Sequence, residues 1–137
     1  MQDLEALRTI GRRFFSEQDR QRGPLPADLI APSYSATIGS NPPMDRAGHD
    51  GFGRGFFAAF PDLHHEIELV LADGDNVLVR FVLHGTHQAA FFGIPATNKR
   101  ISVAAHAVLE VRDGRVTRLR GVFDEAGMLR QLGVLPS

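Results

Sequence analysis

The sequence predicts one α+β domain, in which helices pack on one face of a curved, mostly antiparallel β-sheet. Three observations support this fold class. Residues 3–60 carry mainly the apolar spacing of amphipathic helices, residues 64–123 carry strand patterns separated by turns, and a short helix pattern follows. Helices that precede a run of strands, without alternating with them, are typical of α+β folds. Helices on the concave side of such a sheet leave a pocket at its mouth.

Length, charge and cysteine content narrow the possible functions. The chain has 137 residues, enough for one domain spanning residues 1–137 but not comfortably for two. Its net charge of −1 argues against nucleic acid or an anionic membrane surface as the main partner. The absence of cysteine excludes disulfides and thiolate chemistry. No apolar run approaches the ~20 residues of a membrane span, and the N-terminus lacks a signal-peptide layout, so we expect a soluble cytoplasmic domain.

The N-terminal part predicts an amphipathic helix from residue 3 to about residue 18. Its apolar residues recur at helical spacing and are Leu4, Leu7, Ile10, Phe14 and Phe15. Pro26 then opens a short helix, which Pro32 stops. The alternation from Tyr34 to Ile38 predicts a short strand.

A further helix is predicted from Asp45, its N-cap, to about Phe60. The apolar side of this helix consists of Phe52, Phe56, Phe57 and Phe60. His49 is assigned to its surface, and Pro61 follows directly after its end.

The second half of the chain predicts a meander of strands over residues 64–72, 77–84, 101–112 and 115–123. Asp73–Asn76 and Asp113-Gly114 are the turn signals between them. In the strand over residues 64–72, the alternation of side chains predicts that four residues share one side: His65, Ile67, Leu69 and Leu71. The pair His64-His65 at its start is assigned to the surface.

The chain closes with Asp124 and a predicted helix over Glu125–Leu132, which Gly133 ends. An aspartate at the junction of a strand and a helix is a common N-cap. Residue types alone therefore favour a capping role for Asp124 over a chemical one.

Several short motifs in order along the chain resemble one protein family. They are FPDLHHEIE, the strand from Asp73 to Arg80, GTH at Gly85 to His87, FFGIPATNK at Phe91 to Lys99, and DGRV followed by D-x-x-G-x-L-x-Q-L-G. Together they resemble the SnoaL-like polyketide cyclases, also called ester cyclases, of the NTF2-like superfamily. The resemblance covers roughly residues 40–136 motif by motif, while the N-terminal helices match in pattern only.

The resemblance implies a cone-shaped α+β barrel, often dimeric, with a deep pocket for a small apolar or aromatic carbonyl ligand. Characterised members close a ring on an aromatic polyketide ester by aldol chemistry, with no metal and no cofactor. Their general acid and base is an aspartate at the end of the last long strand, a position that Asp124 holds here. A carboxylate in a dry pocket suits this task, because desolvation raises its pKa towards neutrality.

Two further residues bear on the predicted site around Asp124. His106 lies in mid-strand, and pairing across the Asp113-Gly114 turn puts it near residues 120–122. It either assists Asp124 in proton transfer or lies on the outer face at a dimer interface. Arg120 stands where the family often has tryptophan; if it faces the pocket, it binds an anionic group and weakens Asp124 as a proton shuttle.

Other candidates for the pocket are less specific. His84 and His87 form an H-x-x-H pair, but no third ligand stands at a recognisable spacing, so no metal site is expected. Each histidine either contacts the pocket mouth or makes a structural hydrogen bond. The aromatic candidates for the pocket lining are Tyr34, Phe57, Phe60, Phe91 and Phe92. Core packing is the alternative for the helical phenylalanines, and the two in the loop suit a lid.

The sequence therefore supports a leading hypothesis and two alternatives. The leading one is a cofactor-free enzyme that performs acid–base chemistry on a cyclic or aromatic carbonyl compound, with Asp124 as acid and base and His106 as assistant. The first alternative is a ligand-binding module on the same scaffold without catalysis. The second is a dimerisation domain whose pocket is filled by its own phenylalanines.

Overall fold

The computed structural model describes residues 3–136, so the two ends of the predicted domain, residues 1–137, lie outside the described residues. The helices and strands are α1 (Leu4–Gln21), β1 (Ile30–Ile38), α2 (Arg46–Ala59), β2 (His64–Asp73), β3 (Asn76–Thr86), β4 (Arg100–Arg112), β5 (Arg115–Phe123) and α3 (Glu125–Leu132). A single 3₁₀ turn, Ala27–Leu29, precedes β1. The predicted α+β class is confirmed, and the division into one domain stays a prediction. No helix in residues 3–136 is long and apolar enough to cross a membrane.

An aspartate begins each of the three α-helices. The Asp3 side chain accepts a hydrogen bond from the Glu5 amide at the start of α1. In the same way, the Asp45 side chain accepts from the Gly48 amide in α2, and the Asp124 side chain accepts from the Gly127 amide in α3. Each bond satisfies an amide that the first helical turn leaves without a partner, and such a cap is worth about 1 kcal/mol. At the other end of α3, Gly133 takes the left-handed conformation, with φ 83°, that terminates a helix.

The five strands form one sheet in the order β1-β5-β4-β3-β2. The predicted meander from β2 to β5 is present, and each successive pair is antiparallel. β1 differs from the prediction, because it starts at Ile30 and pairs in parallel with β5. Pro32 therefore does not stop the chain from pairing. The register breaks between Ile30 and Ser35, and an irregular edge strand tolerates a proline that cannot donate a hydrogen bond.

β2 contains a bulge that changes which side chains face inwards. Its register with β3 shifts between Ile67 and Leu69. His65 and Ile67 share the side that faces the helices, which corrects the assignment of His65 to the surface. Beyond the bulge it is Val70 that is buried, whereas Leu69 is 42% exposed. The prediction that Leu69 and Leu71 share a face with His65 is thus wrong, because one extra residue reverses the alternation of a strand.

α1 lies close against the inner face of the sheet. A side chain on Gly11 would meet the Cγ1 atom of Val77 at 2.7 Å, so the helix needs a glycine at this crossing. On the same face of α1, Leu7 and Phe14 are buried in the core. The apolar stripe of α1 therefore packs on β2 and β3, as its helical spacing predicts.

α3 covers the edge of β4 beyond the point where β5 ends. Gln131 replaces a neighbouring strand there: its amide nitrogen donates to the Ser102 carbonyl at 2.9 Å, and its oxygen accepts from the Ser102 amide at 2.7 Å. Met128 and Leu132 are buried beneath the helix. The helix thus satisfies a sheet edge that would otherwise present free backbone groups.

Candidate ligand-binding cavity

A partly open cavity of about 90 Å³ lies between α1, α2 and the inner face of the sheet. A single water needs only about 10–15 Å³ of such space, so the cavity has room for a small organic molecule. Six phenylalanines line the cavity: Phe15, Phe52, Phe56, Phe57, Phe81 and Phe123. The sheet adds small or aliphatic residues, among them Leu83, Ala105, Ala107, Leu119 and Gly121. These walls favour a flat, apolar ligand.

The inward-facing polar side chains of the cavity are Gln18, His49 and His65. The lining includes no lysine, arginine, aspartate or glutamate among the described residues. Gln18 is buried and donates to the Phe14 carbonyl at 2.8 Å, so its amide nitrogen is held by the helix. A cavity without a fixed charge in its walls favours an uncharged ligand, because a charged one would lose its hydration without gaining a partner.

His49 and Tyr34 form a buried pair beside the cavity. The Tyr34 hydroxyl lies 2.8 Å from His49 Nδ1, and the two rings stack with centroids 5.9 Å apart. Burial lowers the pKa of His49 to about 4, although the nearby Asp50 carboxylate opposes the shift. Burial also raises the pKa of Tyr34. Both groups are therefore neutral at pH 7, and His49 enters the cavity as an uncharged imidazole.

His65 is held against the cavity by Asp19. Asp19 lies near the end of α1, and His65 is the second residue of β2. One Asp19 oxygen accepts from His65 Nδ1 at 2.6 Å, and the other accepts from the His65 backbone amide at 2.9 Å. Phe15 and Phe81 pack against the imidazole, with centroids 5.1 and 5.0 Å away. The ring is thus fixed on several sides, and Nε2 is left without a hydrogen bond to a described residue.

The two predicted catalytic residues lie outside this cavity. Asp124 is exposed, and its carboxylate accepts from the Gly127 amide at 2.9 Å as the cap of α3. His106 is also exposed; because its neighbours Ala105 and Ala107 face inwards, its ring is directed to the outer face and only its strand backbone borders the cavity. The expectation that Asp124 faces the apolar pocket is therefore corrected. For His106 the alternative of a place on the outer face holds, and the catalytic role of both residues stays a prediction.

Asp124 and His106 nevertheless come together on the outer face of the sheet. His106 pairs with Val122, as the turn predicts, and both border an open depression with Asp124 and Arg80. Arg80 also approaches Glu68 at 3.3 Å. This depression is more open to solvent than the apolar cavity, and its volume of about 410 Å³ is the larger of the two.

Arg120 and His84 also point away from the cavity. Arg120 is exposed on β5 between the inward-facing Leu119 and Gly121, so it places no cation in the cavity. His84 Nε2 lies 2.8 Å from Glu66 Oε1, and its ring stacks on His64 at 5.1 Å. The alternative of a structural hydrogen bond therefore holds for His84.

His87 is fully buried and serves the loop that follows β3. The Thr97 amide donates to His87 Nδ1 at 3.2 Å, and the Thr97 hydroxyl lies 3.0 Å from the same nitrogen. The Phe60 ring stacks on the imidazole at 5.1 Å. His87 Nε2 is buried without a partner among the described residues. His87 and Phe60 thus belong to the packed core beneath the loop and not to the cavity.

The aromatic candidates separate into three groups. Phe57 lines the cavity, and Tyr34 reaches it through His49. Phe60 and Phe91 are buried and contact each other in the core, with centroids 5.5 Å apart. Phe92 is 72% exposed and borders a separate groove along α2. Within residues 3–136, no group of three or more histidine, aspartate or glutamate side chains is arranged to hold a metal ion.

The sequence interpretation missed the residues that bring polarity to the cavity. It assigned His49 and His65 to the surface, and it did not consider Gln18 or Asp19. A signal was present: Gln18 and Asp19 each follow a buried phenylalanine of α1 by four residues, which continues the buried stripe. His49 likewise precedes Phe52 by three residues on the apolar side of α2.

A helix-covered sheet with an apolar cavity on its inner face is the architecture of the NTF2-like fold. The profile of the SnoaL-like polyketide cyclases matches residues 9–132, which is most of the chain. The protein therefore belongs to the SnoaL-like polyketide cyclase family. No curated protein matches the sequence significantly.

Solved structures agree with this assignment. AclR, a candidate hydroxylase from Streptomyces galilaeus, is 24% identical over 98% of this chain and 89% of its own, with a TM-score of 0.87. A candidate SnoaL-like polyketide cyclase from Jannaschia sp. CCS1 is 23% identical over 99% and 100%, with a TM-score of 0.84. IdmH, a candidate polyketide cyclase from Streptomyces antibioticus, is 29% identical over 95% and 97%, with a TM-score of 0.74. The first two comparisons show the shared fold alone.

Proposed function

We propose that the protein is an enzyme that closes a ring on a neutral, flat, polyketide-like carbonyl ester by aldol-type acid–base chemistry. The observation that carries this proposal is the phenylalanine-lined cavity without a fixed charge in its walls. Aromatic walls pack well on the faces of a ligand that has, or is forming, fused rings. As the family resemblance implies, the reaction needs no metal and no cofactor.

The cavity suits ring closure for two physical reasons. Its walls hold a flexible chain in a folded shape, which brings the carbon nucleophile close to the carbonyl carbon that it attacks. They also keep water away from the enolate, so that neutral polar groups such as those of Gln18 and His49 interact with it more strongly than they would in water. Both effects require the ligand to enter the cavity and not to rest on the outer face.

A second candidate function is ligand binding without catalysis. The observation that favours it is the position of Asp124 and His106, the predicted acid–base pair, on the solvent-exposed outer face. If proton transfer in this family depends on those two positions alone, this chain binds its ligand and leaves it unchanged.

Ring closure of ortho-acetonylbenzaldehyde separates the two candidates. This neutral keto-aldehyde cyclises by an intramolecular aldol reaction and loses water to give β-naphthol, whose fluorescence reports turnover. We expect the protein to accelerate closure, and Ala105→Phe, which fills the cavity, to abolish the acceleration. Ala104→Phe is the matched control, because Ala104 is the exposed neighbour on the outer face. Binding of the probe without acceleration would support the binding module instead.

We further propose that the outer face of the sheet joins two copies of the chain in a homodimer. Leu69, Leu71 and Val122 are 42%, 51% and 44% exposed on that face, and a second copy of the chain would remove these apolar side chains from water. We expect light scattering to give twice the mass of the chain, and Leu71→Glu to give the monomer mass. A monomer in the unsubstituted protein would contradict this proposal. A cytoplasmic location stays a prediction.

A further inference from the structure

We propose that His65 is the general acid and base of the cavity and that Asp19 is its positioning residue. This inference rests on the proposed function, since it supplies the proton-transfer group that ring closure requires. It replaces Asp124, the residue that the family resemblance favours, with a pair that the sequence pattern assigns to no site.

The geometry around His65 fixes which nitrogen is available. An ionised carboxylate only accepts hydrogen bonds, so the 2.6 Å contact with Asp19 places the ring proton on Nδ1. The neutral ring therefore carries its lone pair on Nε2, and no described residue bonds to that atom. A histidine held by a carboxylate in this way has the tautomer and orientation of a general base.

The other ionisable groups near the cavity are less suited to the task. His49 has its Nδ1 engaged by the Tyr34 hydroxyl, and its low pKa of about 4 makes it a weak base. Asp124 and His106 lie on the outer face. His65 alone among them combines a place in the cavity wall, a carboxylate partner and a free nitrogen.

The His65 imidazole alone can perform both proton transfers of the reaction. His65 Nε2 removes a proton from the carbon next to a carbonyl, and the electron pair of that C–H bond forms the enolate. The enolate carbon then bonds to the second carbonyl carbon, and the π electrons of that carbonyl move to its oxygen. The oxygen takes the proton back from Nε2, which leaves the ring neutral and the product an isomer of the substrate. The Asp19 carboxylate stabilises the imidazolium between the two transfers.

A purely structural role is the competing explanation. The two Asp19 hydrogen bonds also join the end of α1 to the start of β2, and they would stabilise the fold without any chemistry. The decisive experiment must therefore read out proton transfer separately from folding and from binding.

Exchange of the α-protons of β-tetralone in heavy water provides that readout. This neutral bicyclic ketone needs only a base and a binding site, and its loss of proton signal gives the exchange rate. We expect the protein to accelerate exchange and His65→Gln to lower the acceleration by about a hundredfold or more, with probe binding retained. His64→Gln is the matched control, because His64 is the neighbouring histidine on the exposed side of the strand, and it should exchange as the unsubstituted protein does.

The outcomes separate the two proposals. Binding with equal exchange in the unsubstituted protein and in His65→Gln would overturn the role of His65 and leave the cavity as a ligand site. Failure of β-tetralone to bind in the cavity would overturn both. Should His65→Gln fail to fold, the ring nitrogen chemical shifts of the unsubstituted protein decide the point: the Nδ1–H tautomer of His65 supports the inference, and the Nε2–H tautomer overturns it.

Asp19→Asn tests the positioning role. We expect it to bind β-tetralone normally but to lower the maximal exchange rate about tenfold or more, and to give a mixture of the two His65 tautomers. Glu17→Gln is the matched control, because Glu17 lies on the same helix but its carboxylate pairs with Arg20. This variant should change neither the exchange rate nor the His65 tautomer. A loss of stability in Asp19→Asn with an unchanged rate and tautomer would show that the pair is structural.

Discussion

Acidification should destabilise the protein through His49, and the size of the effect follows from its burial. The pKa of His49 is about 4 in the folded protein against 6.5 for the unperturbed side chain, because burial disfavours the charged ring. Between these two pKa values, His49 is protonated in the unfolded chain but neutral in the folded protein. The stabilisation is complete above about pH 6.5 and is lost as the pH falls towards 4. At 1.36 kcal/mol per unit of pKa, the loss amounts to about 3 kcal/mol.

Urea unfolding at a series of pH values, with His49→Gln for comparison, measures this contribution. The unsubstituted protein should lose about 3 kcal/mol more than the variant between pH 7 and pH 4. Asp62 does not interfere with this measurement. Burial acts to raise the pKa of its carboxyl group, but hydrogen bonds from Thr86 hold that pKa below the usual 3.8. The stability that Asp62 contributes is therefore lost only at a pH below this range. Equal losses in the two proteins would refute the argument that His49 is buried in its neutral form.

Three further predictions concern the ends and the packing of the helices. Asp124→Ala should lower the free energy of unfolding by about 1 kcal/mol through loss of the cap, whereas Asp124→Ser should keep the cap and leave ring closure unchanged; loss of closure in the serine variant would instead support a catalytic carboxylate. Gly11→Ala should destabilise by about 1–3 kcal/mol, because the new methyl group would meet Val77. In Gly55→Ala the new methyl group would have no neighbour within 4 Å, so this variant should stabilise α2 by about 0.5–1 kcal/mol. Thermal unfolding measures both glycine variants, and a stabilised Gly11→Ala or a destabilised Gly55→Ala would contradict the prediction.

Much of the fold follows from the sequence because local patterns determine it. The helical spacing in α1 and the turn signals at Asp113 and Gly114 give elements close to those of the structure. The partner of β1 could not be predicted in this way. Its pairing with β5 joins segments about eighty residues apart, and nothing in the alternation of a short strand specifies a distant neighbour or its direction.

The candidate site was harder to predict than the fold. The bulge after Ile67 and the contact between Asp19 and His65 both depend on how α1 packs across β2. The alternation of residues within one strand does not specify that packing. The motif around Asp124 was recognised correctly, but a motif does not state which way the next side chain points. Phe123 faces the cavity, and the alternation of the strand turns the following residue outwards.

The position of bound β-tetralone tests the central claim most directly, because the inner cavity and the outer depression adjoin the same strands. Nuclear Overhauser contacts between the ligand and assigned methyl or ring protons distinguish the two places. Binding in the cavity predicts contacts to Phe57 and to the Ala105 methyl group, and none to the Ala104 methyl group. Contacts to Ala104, without any to Phe57, would place the ligand beside Asp124 on the outer face and would contradict the account.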